Sequence, residues 1–205
     1  MNAPLKTAHY LRGMIVKVVL LKSLALGFWR DGWNVIPVGA DKKPIIKEWK
    51  PWREERQNQQ DVEAMPWDRA YGVAGLTGLW FTGNLCAIDV DVESFGKAEE
   101  FLKTFPKTRK HRTPSGGYHL IYKSLKPVGK IDRFKKLFGI EVKGLGAYII
   151  LPGSFEEKYT IENPLTPIAE VEDLETMIFE RAKQLGWKES EKVEGVAFEL
   201  SLIHI

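Results

Sequence analysis

Leu85-Cys86-Ala87-Ile88-Asp89-Val90-Asp91-Val92 is the stretch whose reading decides the fold. Its mostly apolar composition, with β-branched Ile88, Val90 and Val92, reads as a strand. Side chains alternate along a strand, so Ile88, Val90 and Val92 are expected to face a core. Asp89 and Asp91 then share the other face, about 7 Å apart along the chain. Carboxylates that close repel each other unless water or cations compensate. Hard cations such as Mg²⁺ take carboxylate oxygens and keep positions open for phosphates. Taken alone, Asp-x-Asp at a strand end is usually a solvated terminus. An EF-hand is excluded, because Ser94 stands where that loop needs glycine.

Working outward from this strand, the pattern upstream predicts a helix from about residue 10 to residue 30, closed at Asp31-Gly32. A strand follows over 33–38, then an irregular segment over 45–60, a short helix near 61–65 and a strand over 71–76. Downstream, Ser94-Phe95-Gly96 breaks the strand and residues 97–104 fit an amphipathic helix. Residues 106–114 read as a basic connector and 118–122 as a strand. Residues 139–143 and 147–151 read as two strands of a hairpin turning at Gly144-Leu145-Gly146. A last short strand is expected over 158–161 and an amphipathic helix over 170–185. Strands and helices intermix without a strict βαβ period, which predicts an α+β fold, an antiparallel sheet packed on helices. Residues 1–187 are expected to form one domain, with 188–205 as a C-terminal tail of little pattern.

The chain has 205 residues, 44% of them hydrophobic and 28% charged, which is ordinary for a globular protein and excludes global disorder. Its single cysteine, Cys86, excludes an internal disulfide framework and a Cys-rich zinc site, and points to a reducing, cytoplasmic setting. The longest apolar stretch, residues 14–29, is interrupted by Lys17 and Lys22 and reads as an amphipathic core helix, neither membrane span nor cleaved leader. The charge is unevenly spread. Residues 103–143 carry 12 basic side chains against 2 acidic, whereas residues 144–205 carry 5 against 12. Such a basic block fits a polyanionic partner, or else a solvated face balanced by the acidic end of the chain.

Two more constellations bear chemistry. Thr113-Pro114-Ser115-Gly116-Gly117-Tyr118-His119 is a glycine turn whose backbone N–H groups can approach a phosphate closely. It opens a strand that sets His119 on the face opposite Tyr118 and Leu120; a plain hairpin with a surface histidine reads the same way. In Ile140-Glu141-Val142-Lys143-Gly144, alternation buries Ile140 and Val142 and puts Glu141 and Lys143 together, as a surface pair or as a metal ligand beside a phosphate contact. Neither Gly-x-x-x-x-Gly-Lys-Ser/Thr nor Gly-x-Gly-x-x-Gly occurs, so the usual glycine-loop nucleotide sites are excluded. Gly-x-Ser-x-Gly, the hydrolase nucleophile elbow, is absent too.

In order and spacing, Asp89-Val90-Asp91, Ser115-Gly116-Gly117-Tyr118-His119 and Glu141 resemble the prim-pol (primase-polymerase) family of the archaeo-eukaryotic primase superfamily. Flanking segments resemble it as well: Gly32 to Val38, Lys42-Lys43-Pro44 with Trp49, Tyr71 to Gly78, and Tyr148 to Ser154. The third acid is usually aspartate and here is glutamate. The resemblance covers roughly residues 24–161. It implies an RRM-like antiparallel sheet with a small N-terminal α/β module, and template-directed nucleotidyl transfer from NTPs or dNTPs on single-stranded DNA. Asp89, Asp91 and Glu141 would hold two Mg²⁺ or Mn²⁺ ions. Ser115, Gly116, His119 and Lys143 would bind the nucleotide, with His119 also in the catalytic set. Lys107, Arg109, Lys110, Arg112, Lys130, Arg133, Lys135 and Lys136 would grip the template. A helicase in the same or a neighbouring chain is a further partner the resemblance implies; a membrane is not.

Two other readings use the same residues. A non-catalytic RRM-like nucleic-acid-binding module shares the architecture, but gains nothing from three carboxylates near a polyanion and lacks the aromatic RRM signature. A metal-dependent nuclease would use the same acids and need no nucleotide. Trp49 and Trp52 are read as core packing in preference to base stacking.

Overall fold

The computed structural model describes residues 3–188. Nine strands run in chain order: β1 (Val35–Val38), β2 (Gly72–Leu76), β3 (Cys86–Val90), β4 (Arg109–Arg112), β5 (Tyr118–Ser124), β6 (Glu141–Lys143), β7 (Tyr148–Ile150), β8 (Thr160–Ile161) and β9 (Ala169–Val171). They form two sheets. One is three-stranded and antiparallel in the order β1-β2-β7. The other has the order β6-β3-β5-β4-β8, antiparallel throughout, with β9 running parallel to the end of β5. The fold is α+β, as the intermixed pattern implies.

Helix α1 (Ala3–Arg30) is longer at its start than the sequence pattern suggests. It closes where expected. The Trp33 N–H reaches the Phe28 carbonyl and the Gly32 N–H reaches that of Trp29, a Schellman closure with Gly32 at φ +100°. Its described side chains divide. Leu21 and Ala25 are buried with Trp33, Val35 and Val73, whereas Ile15, Val16, Val19 and Leu20 are exposed. Among the described residues no helix is long and apolar enough to cross a membrane. Between β1 and β2 the irregular segment is pinned by polar side chains. Gln57 bonds both the N–H and the C=O of Val35, standing in for a strand neighbour, and Asn34 donates to the carbonyls of Trp52 and Glu55.

The six-stranded sheet is covered on one face by α2 (Phe95–Leu102), the short helix Lys135–Phe138 and the helix Leu174–Gln184. That core holds Cys86, Ile88, Val90, Phe101, Tyr122, Phe134, Val142 and Ile178. Burial pushes the Cys86 thiol up to about 12, so it behaves as a small apolar side chain. Against the other face lie Leu85, Ala87 and Ile121, packed with Leu21, Trp33, Val73 and Ile149 from the three-stranded side. The two sheets therefore share a core.

Four expectations need correction. Residues 109–112 are a full strand, β4; their Arg-Lys-His-Arg composition hides it, and it forms because β5 and β8 supply ladder partners on both sides. The segment around Gly144-Leu145-Gly146 is not a hairpin. β6 pairs with β3 and β7 pairs with β2, so this turn carries the chain from one sheet to the other. The crossing is tight: a Cβ on Gly78, itself at φ +75°, would lie 2.2 Å from the Leu145 nitrogen. Val92, expected in the core, is half exposed in a 3-10 turn. The start of the predicted last helix is instead β9, and the helix begins at Leu174. The tail lies, from residue 189 on, outside the described residues.

Candidate active site

Pairing in the six-stranded sheet is in register across four strands. His111 of β4 opposes His119 of β5, which opposes Asp89 of β3, which opposes Glu141 of β6. Directly opposed residues share a face, so these four side chains form one row. Two residues along, Lys143 opposes Ala87 on the same face. Ile88, Val90 and Val142 point the other way and are fully buried, which fixes the register and with it the outward set of the row.

The row is held by charge. The Lys143 ammonium lies 2.6 Å from Glu141 Oε1 and 3.5 Å from Asp89 Oδ2, bridging the two acids. His119 Nε2 is 3.5 Å from Asp89 Oδ1. Asp91, just past the end of β3, takes the Lys135 ammonium at 2.8 Å, and this hydrogen bond raises the Lys135 pKa. Lys130 reaches Glu141 at 4.0 Å. Burial lowers the pKa of His119; Asp89 opposes that shift, while Lys143 and Lys42 add to it. Burial drives His111 down to about 3, helped by the charges of His119 and Arg109. The Nδ1 atoms of both histidines are buried without a hydrogen-bond partner.

Above the row opens a cleft of about 360 Å³. Asp89, His119 and Lys143 form its floor, and Lys42, Tyr148 and Tyr159 are among the residues of its opposite wall. The loop before β5 lies beside Asp91. A Cβ on Gly117 would sit 2.5 Å from the Val90 carbonyl oxygen, so only glycine lets the hairpin approach β3 this closely. Ser115 bonds the Thr113 hydroxyl, and the Gly116 N–H donates to the Thr113 carbonyl, which closes the turn.

The structure thus brings Asp89, His119, Glu141 and Lys143 together, with Asp91, Ser115 and Gly116 at one end. The basic block divides. Lys130 and Lys135 join the acids. Lys110 and Arg112 lie on the opposite face of β4, where both pair with Glu162 and Lys110 stacks over Tyr118. Burial pushes the Glu162 carboxyl up, but the Lys110 and Arg112 contacts outweigh it and hold the pKa below the usual value. Arg109 donates to the carbonyls of Thr166 and Pro164. Arg133 lies over the Phe179 ring, while Lys107 and Lys136 are exposed. Trp49 and Trp52 pack at the edge of the three-stranded sheet, Trp49 edge-on to Tyr148. Sequence reading missed His111, Lys42, Tyr148 and Tyr159. Residues 109–112 carry no apolar residue to mark a strand; Lys42 and Tyr148 stood in segments of the family resemblance without a sign that they meet His119, and Tyr159 carried none either.

The donor set can be tested against a metal. Three carboxylates supply hard oxygens, the chemistry that Mg²⁺ or Mn²⁺ takes. Among the described residues no three Asp, Glu, His or Cys side chains already converge as a cage, because Lys143 sits between Asp89 and Glu141 and Lys135 holds Asp91. The acids fit such an ion, with lysine ammoniums now supplying the positive charge that it would bring.

The family model described as the N-terminal part of bifunctional DNA primase/polymerases, Prim-Pol, matches residues 25–174. The chain belongs to this family, and primase or polymerase activity on DNA and nucleotides is what membership indicates in general terms. No curated protein matches the chain.

Proposed function

We propose that this chain is a template-directed DNA primase/polymerase that adds NTPs or dNTPs along single-stranded DNA in the cleft between the two sheets, on an RRM-like sheet. The in-register row of His119, Asp89 and Glu141, two of whose members line a cleft together with Lys42 and Lys143, carries this reading. Asp89, Asp91 and Glu141 would hold two Mg²⁺ or Mn²⁺ ions. When bound, such ions activate the attacking hydroxyl and balance the charge of the leaving pyrophosphate. Lys143, freed from its two acids, would meet a phosphate oxygen. Burial disfavours the charged form of His119, which would offer a hydrogen bond to the nucleotide. Ser115 and the glycine turn stand at the Asp91 end of the cleft and would contact the triphosphate there. The template backbone would run over the exposed lysines Lys107, Lys130 and Lys136, with Lys135, Arg133, Arg109, Lys110 and Arg112 adding positive potential around them.

The test is incorporation of labelled nucleotide on a primed single-stranded template, with Mg²⁺ and Mn²⁺ tried separately. Extension that falls to background in Asp89→Ala/Asp91→Ala supports a polymerase, and omission of the primer then tests priming. Shortening of the primer without nucleotide points to a nuclease. Salt-sensitive DNA binding without turnover, retained by the double variant, points to a binding module.

A further inference from the structure

We propose that Lys42 is the triphosphate contact supplied by the β1-side wall of the cleft, a positioning role that rests on the reading of this cleft as a nucleotide site. Three lysines line the cleft. Lys143 is engaged by Asp89 and Glu141, and Lys43 lies 3.8 Å from Asp41. Lys42 has no acidic partner within 4.0 Å among the described residues. It is the cleft lysine whose charge is not already compensated.

The backbone points to the same residue. Lys42 holds φ +64°, the left-handed region that lysine rarely adopts and glycine adopts freely. The conformation is fixed by neighbours. The Lys42 N–H donates to the Gly39 carbonyl at 3.0 Å, the Gly39 N–H to the Lys43 carbonyl at 2.9 Å, and the Tyr148 hydroxyl to the Lys42 carbonyl at 3.2 Å. A non-glycine residue held in this region at a cleft is a pointer to function, because the fold itself is better served by glycine. The side chain goes into the cleft: its ammonium lies 5.7 Å from the centre of the Tyr159 ring, and its charge is felt by His119 on the floor. An unpaired ammonium facing a floor of acids, histidine and a second lysine recognises an oxyanion that also reaches those groups. Within the proposed reaction that oxyanion is a phosphate of the incoming nucleotide.

Three variants of the full chain test this. Lys42→Gly removes the charge and relieves the backbone, Lys42→Asn removes the charge with a residue that tolerates the left-handed region, and Lys42→Arg keeps the charge. A fluorescent ATP analogue is titrated by anisotropy, with inorganic triphosphate as competitor, alongside KM and kcat for nucleotide incorporation. Loss of one charge-assisted phosphate contact predicts about tenfold weaker binding and about tenfold higher KM in Lys42→Gly and Lys42→Asn. In both, kcat stays nearly unchanged, Tm is equal or higher for Lys42→Gly, and Lys42→Arg restores affinity. Wild-type affinity in folded Lys42→Gly overturns the assignment. So does weakened DNA binding with triphosphate affinity intact, and so does a wild-type chain that binds no triphosphate. If the wild type binds triphosphate but extends nothing, the polymerase reading fails while the binding titration still decides the role of Lys42.

Discussion

Ile88 and Asp89 are neighbours in the chain and belong to different regions of the molecule. Ile88 looks into the helix-covered core with Val90, Phe134 and Ile178, and none of its surface meets water. Asp89 looks into the cleft, where each polar contact is to another charged or titratable group. The helix-covered face holds the fold by excluding water and tolerates little change in volume. The cleft face is held by ion pairs that a ligand can replace, since an incoming cation or phosphate offers Lys143 and its acids new partners of the same charge. One strand thus separates a region selected for permanence from a region built for exchange.

The difference is open to direct attack, and the Asp89→Ala/Asp91→Ala variant gives the largest expected effect. It extends no primer, yet its Tm stays within a few degrees of wild type, because the groups it removes are partly exposed ion-pair members that fill no part of the apolar core. A cooperative loss of folding in that variant would erase the distinction. Next comes Ile88→Ala, which is expected to cost about 3 kcal/mol in denaturant unfolding, from lost burial and the cavity left behind. Activity per folded molecule is retained.

A smaller effect is expected at the rim of the helix-covered core. Asp173 caps the helix Leu174–Gln184 by accepting from the Thr176 N–H at 2.9 Å, and this bond holds its pKa below the usual carboxylate range. Asp173→Ala is predicted to lose about 1 kcal/mol at neutral pH. The smallest effect belongs to Glu162. Its side chain is about one-third exposed (35%), so solvent screening limits its pairs with Lys110 and Arg112 to under about 1 kcal/mol. Its folded pKa is depressed, so the contribution is present above the ordinary value of 4.5 and is lost as pH falls through the folded value. Thermal melts of Glu162→Gln and wild type should differ slightly at pH 7 and converge in acid.

Much of this contrast was legible in the sequence, because alternation is a local property. Ile88-Asp89-Val90-Asp91, Ile140 to Lys143 and Tyr118-His119-Leu120 each declare which side chain goes in and which comes out. What alternation cannot declare is the partner. Arg109 to Arg112 carry no apolar residue, so nothing marked them as a strand until β5 and β8 were seen on either side. Gly144-Leu145-Gly146 has the composition of a hairpin turn, and only the pairing of β6 with β3 and β7 with β2 shows otherwise. Lys42 was visible as part of Lys42-Lys43-Pro44, but its approach to His119 depends on how the two sheets pack. The candidate site was therefore readable as far as one sheet supplies it, and unreadable where the second sheet closes over it.

The crossing at Gly144 to Gly146 has a consequence for how the protein is made. Within the described residues the chain visits the small sheet, then the large one, then the small one again, then the large one. Strand β2 acquires its second neighbour only when Tyr148–Ile150 is synthesised, more than 70 residues after β2 itself. Until then the growing polypeptide carries an open strand edge, the kind of surface on which chains stick to one another. No single cut separates one finished sheet from the other. The cleft is thus complete only after Tyr148 and Tyr159 have been made.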